Sequence, residues 1–216
     1  CCSRDACKGR EERVQAQEVS EWHGGGSRVA PPWHMEGSAQ EGPRPGEIVP
    51  VDGILLTHAH MDHCAAADVL RRQLGVPIEG PQREDLFWLQ GLPQFCEMSG
   101  FPHADAFEPD RWLEQGDSVT VGEQVLQVLH CPGHTPGHVV FFYEPQKVAW
   151  VGDVLFQGSI GRSDFPRGNH EELVQSIRGK LFPLGDDITF IPGHGPTSTF
   201  GQERQTNPFV ADSRYG

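Results

Sequence analysis

Thr57-His58-Ala59-His60-Met61-Asp62-His63 puts three imidazoles and one carboxylate within six residues. Ahead of it, Gly53-Ile54-Leu55-Leu56 is a short apolar run that reads as a buried strand. Behind it, Cys64 to Leu74 is rich in Ala and Leu and reads as a helix stopping at Gly75. The histidines therefore belong to a strand-to-helix loop. Neutral imidazole and carboxylate are the ligand types that suit zinc and related transition metals. From extended backbone, His58 and His60 are spaced to point at one ion. Asp62 and His63, entering the helix, are placed to face a second.

Working outward, one pattern recurs: an apolar strand runs into a glycine-containing loop that presents one His or Asp. Ser118–Val121 and Glu123–His130 read as strands joined at Gly122, with Val125, Leu126, Val128 and Leu129 expected to be buried. His134 lies in the loop that follows them. Val139–Tyr143 and Val148–Val151 are further strands, the second ending at Gly152-Asp153, and the succession reads as antiparallel sheet. Asp187–Ile191 is the last strand and leads to Pro192-Gly193-His194-Gly195. Donors carried on strand ends from distant parts of the chain make a rigid metal site, because the sheet fixes their relative positions. Glycine beside each lets the backbone turn sharply. His130 and His138 compete with His134 for a ligand role and are read as packing or supporting residues.

The remaining elements are less telling. Val76–Glu79 reads as a short strand, and Pro81–Met98 as a helix broken near Gly91-Leu92-Pro93, with Phe87, Trp88 and Leu89 in the core or at a pocket lip. Phe156–Gly168 reads as loop. Asn169 is a plausible N-cap for a helix to about Leu181, with Glu171 and Glu172 in its first turn. Thr199–Phe209 is an amphipathic stretch expected to pack back on the domain, and His103 is read as a surface residue.

Across 216 residues, hydrophobic content is 37%, with 26 Gly and 18 Pro, as in a loop-rich globular chain with room for a proper core. A net charge of −13 argues against a nucleic-acid partner, which needs a basic surface. No run has the apolar length of a membrane span and no charged-then-apolar leader is seen, so a cytoplasmic location is expected, with an organelle matrix as the alternative. The six Cys form no disulfide framework, and Cys131 reads as a small buried filler. Residues 1–47 differ from the rest. They carry Gly24-Gly25-Gly26, Pro31-Pro32 and few aliphatic residues without period. The expectation is a disordered or loosely packed segment, with at most one polar helix over Glu11–Glu21 and with His23 and His34 solvated, followed by a domain over 48–216.

With these residues in view, the chain resembles the metallo-β-lactamase superfamily, and within it the small glyoxalase II-like (hydroxyacylglutathione) hydrolases of bacterial type. The resemblance rests on Thr57–His63, Phe87-Trp-Leu-Gln-Gly-Leu-Pro93 and Leu129-His-Cys-Pro-Gly-His-Thr-Pro-Gly-His138. Gly152-Asp153, Gly161-Arg-Ser-Asp-Phe-Pro-Arg-Gly168 and Thr189-Phe-Ile-Pro-Gly-His-Gly-Pro196 complete it. It covers about 49 to 210. It implies an α+β fold, the αββα sandwich, with a two-zinc site on one edge and iron or manganese as alternatives. It assigns His58, His60 and His134 to one ion, Asp62, His63 and His194 to the other, and Asp153 to a bridge. It also implies hydrolysis of a small-molecule thioester of the S-hydroxyacylglutathione type by hydroxide held between the ions, with Asp62 orienting the nucleophile.

Two departures bear on that expectation. Family members open with several strands before the His-rich motif, and residues 1–47 show none, so the N-terminal half of the sandwich is expected to lack or alter strands, as in a fragment, an alternative product or a shifted reading frame. The larger glyoxalase II enzymes carry a C-terminal glutathione-binding domain, which this chain is expected to lack. Arg162 and Arg167 are then candidate anchors for an anionic substrate. The competing functions are a mononuclear iron persulfide dioxygenase, sharing Gly161-Arg162-x-Asp164-Phe165, a lactamase or lactonase, and a metal-binding product without activity.

Overall fold

A computed structural model describes residues 51–215. The expectations for residues 1–47 lie outside the described residues. The first elements are β1 (Ile54–Leu55), α1 (Met61–Cys64), α2 (Ala67–Leu74) and β2 (Ile78–Glu79), with β1 and β2 paired in parallel. The helix expected from Cys64 is thus two helices, and it ends, as expected, with Gly75 in the left-handed region. A 3-10 turn at Arg83–Asp85 leads to α3 (Leu86–Gln90) and α4 (Leu92–Ser99), which part at Gly91. Then come β3 (Ser118–Val121), β4 (Gln124–His130), β5 (Val139–Tyr143), β6 (Val148–Gly152), β7 (Leu155–Phe156) and β8 (Ser159–Ile160). The chain closes with α5 (His170–Ser176) and its π-helical extension Ile177–Leu181. After these come β9 (Thr189–Pro192), β10 (Ser198–Thr199), α6 (Phe200–Thr206) and α7 (Asp212–Tyr215).

Six strands form one sheet in the order β10-β9-β6-β5-β4-β3. All neighbours are antiparallel except β6 and β9, which run parallel. The parallel step departs from the all-antiparallel expectation, and its cause is α5, which supplies the crossover that two parallel neighbours require. Strand β5 explains the layering. Its residues Val140 and Phe142 join a core with Leu173, Ile177 and Phe200 from the helices, while Val139 and Phe141 face the opposite way, into a cluster that Leu55 of β1 packs against. A strand covered on both faces has no solvent side, which is why Val139–Phe142 is an unbroken apolar run.

A third cluster joins Leu56, Cys64, Ile78, Trp88, Leu89, Leu92 and Cys96, so α1 to α4 cover the outer side of the β1–β2 pair. The layers are therefore helix, two-stranded sheet, six-stranded sheet, helix. Among the described residues the first sheet has only these two short strands.

Two details differ from expectation. Val125 is 54% exposed rather than buried, because the helix-covered core on its face includes Leu129 and stops short of the β3–β4 turn. The segment Phe156–Gly168 is not all loop, since its start pairs as the β7–β8 hairpin. Other expectations agree with the structure. Asn169 Oδ1 accepts from the N–H groups of Glu171 and Glu172. Cys64, Cys96 and Cys131 are buried free thiols, with burial pushing Cys131 up to about 12. Phe200 of the expected C-terminal stretch is fully buried.

Candidate metal centre

The loop after β1 is held against the large sheet by the Val139 N–H, which donates to Thr57 O at 2.8 Å. That contact brings His58 and His60 to the loop between β4 and β5, where His134 sits. Asp153 leaves the end of β6 and His194 the end of β9, two strands that are neighbours in the sheet. Asp62 and His63 occupy the first turn of α1. Seven residues from five segments thereby meet.

Their donor atoms fall into three triads, His58–His60–His134, His58–His63–Asp153 and Asp62–His63–His194, each with all ligand atoms within 4.8 Å of one another. Asp153 lies between the outer two. Its Oδ1 is 3.5 Å from His63 Nε2, and its Oδ2 is 3.7 Å from His134 Nε2 and 3.6 Å from His194 Nε2. On the open side, His194 Nε2 is 3.1 Å from both Asp62 Oδ2 and His63 Nε2. Gly193 is required by this closeness, since a Cβ there would overlap Asp153 Oδ1 and crowd the His63 ring.

The donor set suits a metal ion on a direct observation. His58 Nε2, His60 Nε2, His134 Nε2 and Asp153 Oδ1 are buried and have no hydrogen-bond partner. Burying polar atoms without partners costs on the order of 1–3 kcal/mol each, and a cation shared among them removes that cost. The other ring nitrogens are held in place. His134 Nδ1 donates to Arg162 O at 2.6 Å, which leaves the Nε2 lone pair facing the site. His58 Nδ1 is 3.1 Å from Thr57 Oγ1. Such outer hydrogen bonds fix tautomer and ring orientation in metal sites.

The two sides differ electrostatically. Burial holds His58 well below the ordinary imidazole range, and the neighbouring His138, His63, His134 and His60 rings act in the same direction. Burial also drives His60 down to about 3 and lowers His134. For His63 burial again disfavours the charge, but the nearby carboxylates of Asp153 and Asp62, 3.5 and 3.4 Å from its Nε2, outweigh it and push the imidazole up to about 9. Asp62 is held far down, chiefly by its hydrogen bond to His63. Exposure follows the same division: His58 is 0% exposed, whereas the side chains of Asp62 and His194 are 40% and 57% exposed.

An aromatic wall closes the buried side. Trp88 meets the His60 ring edge-on with centroids 4.6 Å apart, and Phe165 lies 4.7 Å from His60 and 5.8 Å from His134. His138, read as a supporting residue, is buried, stacks on His58 at 4.6 Å and accepts from the Asp153 N–H at 3.1 Å. His130 lies apart, with its Nε2 2.8 Å from Pro136 O. Arg162 pairs with Asp164 and covers the Phe165 ring at 4.5 Å, while Arg167 pairs with Glu84 beside Phe87. Both arginines are thus already engaged by an acid.

One residue of the site went unread in the sequence. Asp85 is fully buried in the 3-10 turn and accepts from Ala59 N–H at 3.0 Å, Thr135 Oγ1 at 2.8 Å and Gly137 N–H at 2.6 Å. Burial pushes its carboxyl up to about 6, against the pull of those three donors. Beside Glu84 in a helix-opening turn it looks like an ordinary first-turn acid, and only its following apolar run, Leu86–Leu89, hints that this face turns inward.

Comparison with known proteins agrees with this architecture. Residues 35–194 match the family model described as the metallo-beta-lactamase superfamily. The hydroxyacylglutathione hydrolase GloC of Haemophilus influenzae is 51% identical over 158 residues, covering 73% of this chain and 74% of that one. Among solved structures, the BLEG-1 B3 metallo-beta-lactamase is 40% identical with a TM-score of 0.67, over 74% of this chain and 77% of that one. TTHA1623, solved in a di-iron-bound form, is 38% identical with a TM-score of 0.68, over 76% and 79%.

Proposed function

This chain belongs to the metallo-β-lactamase superfamily and is a metal-dependent hydrolase, and we propose that it cleaves thioesters of the S-hydroxyacylglutathione type with two metal ions held by the seven converging donors. The observation that carries the reading is the joint one: an intact seven-donor cluster on a chain half identical to a hydroxyacylglutathione hydrolase along most of its length. His58, His60 and His134 would hold one ion, Asp62, His63 and His194 the other, with Asp153 shared. Zinc is the first assignment from the imidazole-rich donors, and iron is supported by the di-iron relative.

Ions held by these residues would lower the pKa of water towards neutrality and polarise a carbonyl. The chain's own groups do the rest. Trp88 and Phe165 exclude water from the buried triad, so substrate approaches from the exposed side, between Asp62 and His194. Asp62 is a carboxylate throughout the neutral range and its side chain stays partly exposed at that mouth, which suits it to accept a hydrogen bond from the attacking water and orient it. His63 faces the carboxylates of Asp62 and Asp153 and sets the charge of the second triad. The departing group is a thiolate, stable at neutral pH, so no strong acid is needed beside the leaving sulfur. A cytoplasmic location belongs to the same reading; no helix among the described residues is long and apolar enough to cross a membrane.

The test is hydrolysis of S-lactoylglutathione by the metal-loaded protein, followed by thiol release, with oxygen uptake recorded on glutathione persulfide in parallel. Thiol release lost in Asp153→Ala, without oxygen uptake, is expected. Oxygen uptake with no thiol release would replace the hydrolase reading by the dioxygenase.

A further inference from the structure

We propose that Asp85 is a positioning residue that sets the spacing of the buried metal triad, tying the loop of His58 and His60 to the loop of His134. The inference rests on the reading of these histidines as ligands and adds to it the group that holds them in register. The carboxylate touches none of the three rings. It accepts instead from the backbone N–H of Ala59, the residue between His58 and His60, and from the hydroxyl of Thr135, the residue after His134. Its second oxygen accepts from the N–H of Gly137, farther along the same loop. One buried side chain thus bridges two segments more than seventy residues apart in sequence.

The surroundings show that the bridge is built tightly. Asp85 has no exposed surface, and none of the ion pairs found among the described residues includes it. Its turn is anchored from the same loop by the Gln82 N–H donating to Gly137 O at 2.9 Å. A Cβ at Gly137 would overlap Gln82 O and fall 2.6 Å from Asp85 N and 2.8 Å from Asp85 Cβ, so only glycine allows the two segments to close. Three donors and no cation are what a structural tie needs, whereas a carboxylate serving as ligand or proton carrier would face the donor cluster.

Chemistry decides how the tie fails. Asparagine keeps the shape of Asp85 but has one acceptor oxygen and one amide nitrogen. Whichever way the amide turns, a donor faces a donor, either at Gly137 or at the Ala59 and Thr135 pair. The loops then move apart, and the ion they hold in common is bound in a looser frame. Direct hydrogen-bond partners of metal ligands are worth roughly 10–100-fold in affinity or activity, and Asp85, which holds the backbone beside the ligands, belongs at the lower end of that range.

The experiment is stepwise zinc titration against a chromophoric chelator for wild type, Asp85→Asn, Thr135→Val and Thr135→Ser, with melting curves of the metal-free forms. Asp85→Asn is expected to weaken the tighter step, assigned to the buried triad, by about 10-fold and the weaker step far less. Thr135→Val should weaken the same step to a smaller degree, and Thr135→Ser, which restores the hydroxyl, should match wild type. A lowered melting point with both steps unchanged, or equal weakening of both, would overturn the proposal by reducing Asp85 to a scaffold residue. If Asp85→Asn does not fold, the two Thr135 variants decide: equal tighter-step affinities overturn it, and a weaker step in the valine variant alone supports it. A wild-type chain that binds no zinc would overturn the metal reading itself, and would show in the unsubstituted protein.

Discussion

His60 and His63 are three residues apart and sit at opposite ends of the imidazole range. Burial holds His60 down to about 3, so at neutral pH it is ready to bind a cation; His63, flanked by the carboxylates of Asp62 and Asp153, is pushed up to about 9 and carries a proton. An ion entering the buried triad should therefore displace no proton from its ligands, and an ion reaching the second triad should displace about one, from His63. Calorimetric titration at pH 7 in buffers of different ionisation enthalpy reads this directly; equal proton release in both steps would contradict it. The metal-free protein carries the matching signature. A depressed histidine contributes stability above its unfolded pKa of about 6.5 that is lost as pH falls, and a raised one contributes stability below it that is lost as pH rises through its folded value. Among the described histidines, His58, His60, His134 and His138 are lowered, against a raised His63. The melting temperature of the metal-free protein should thus fall more steeply on the acid side of about 6.5 than on the alkaline side. At this scale the seven donors were readable because the motif and the strand-end glycines stand out in one dimension. Asp85 was not, because its three partners come from residues 59, 135 and 137 and exist only once the loops are brought together.

Among the elements, α5 has two tasks: it covers the core face of the large sheet and, with its π-helical extension, supplies the crossover that makes β6 and β9 parallel neighbours. Its entry is fixed by Asn169, whose side chain caps two N–H groups and whose own N–H donates to Gly133 O at 2.8 Å, just before His134. Asn169→Ala should cost about 1 kcal/mol of stability, measurable by denaturant unfolding, with both metals still bound; an unchanged midpoint would contradict the cap. The capping signal was legible because Asn followed by two acids is a local pattern. The parallel pairing of β6 with β9 was not, since strand direction depends on which segments meet across 36 residues of intervening chain between Gly152 and Thr189. The two-residue strands β7 and β8 were missed for another reason: Leu155-Phe156 and Ser159-Ile160 are too short to show alternation, and their pairing is helped by Glu203, which accepts from the Gly158 N–H at 2.7 Å at the hairpin turn.

For the molecule as a whole, the sandwich arranges the site as a gradient from a dry side to a wet one. The two-stranded and six-stranded sheets bring β1, β6 and β9 to one edge, the Trp88–Phe165 wall packs on the His60 and His134 rings, and Asp62 and His194 face outward. Phe190, fully buried on β9 and stacked on Phe200 at 5.6 Å, lies in the core behind that edge. Phe190→Ala should cost about 3–5 kcal/mol, read as a lowered unfolding midpoint even in the metal-loaded protein, and a loss below about 1 kcal/mol would mean this core does not set the frame. The layer order was legible in outline from β5, whose four apolar residues announce burial on both faces. The proposed two-ion site is tested by elemental analysis of the purified protein during graded chelation, because ions held by two unlike triads should be lost unequally. The account predicts about two ions per chain at the start, a stable plateau near one as the exposed triad empties, and no plateau for His134→Ala, which damages the buried triad. A wild-type chain that holds a single ion from the outset, or that loses both together, would contradict it.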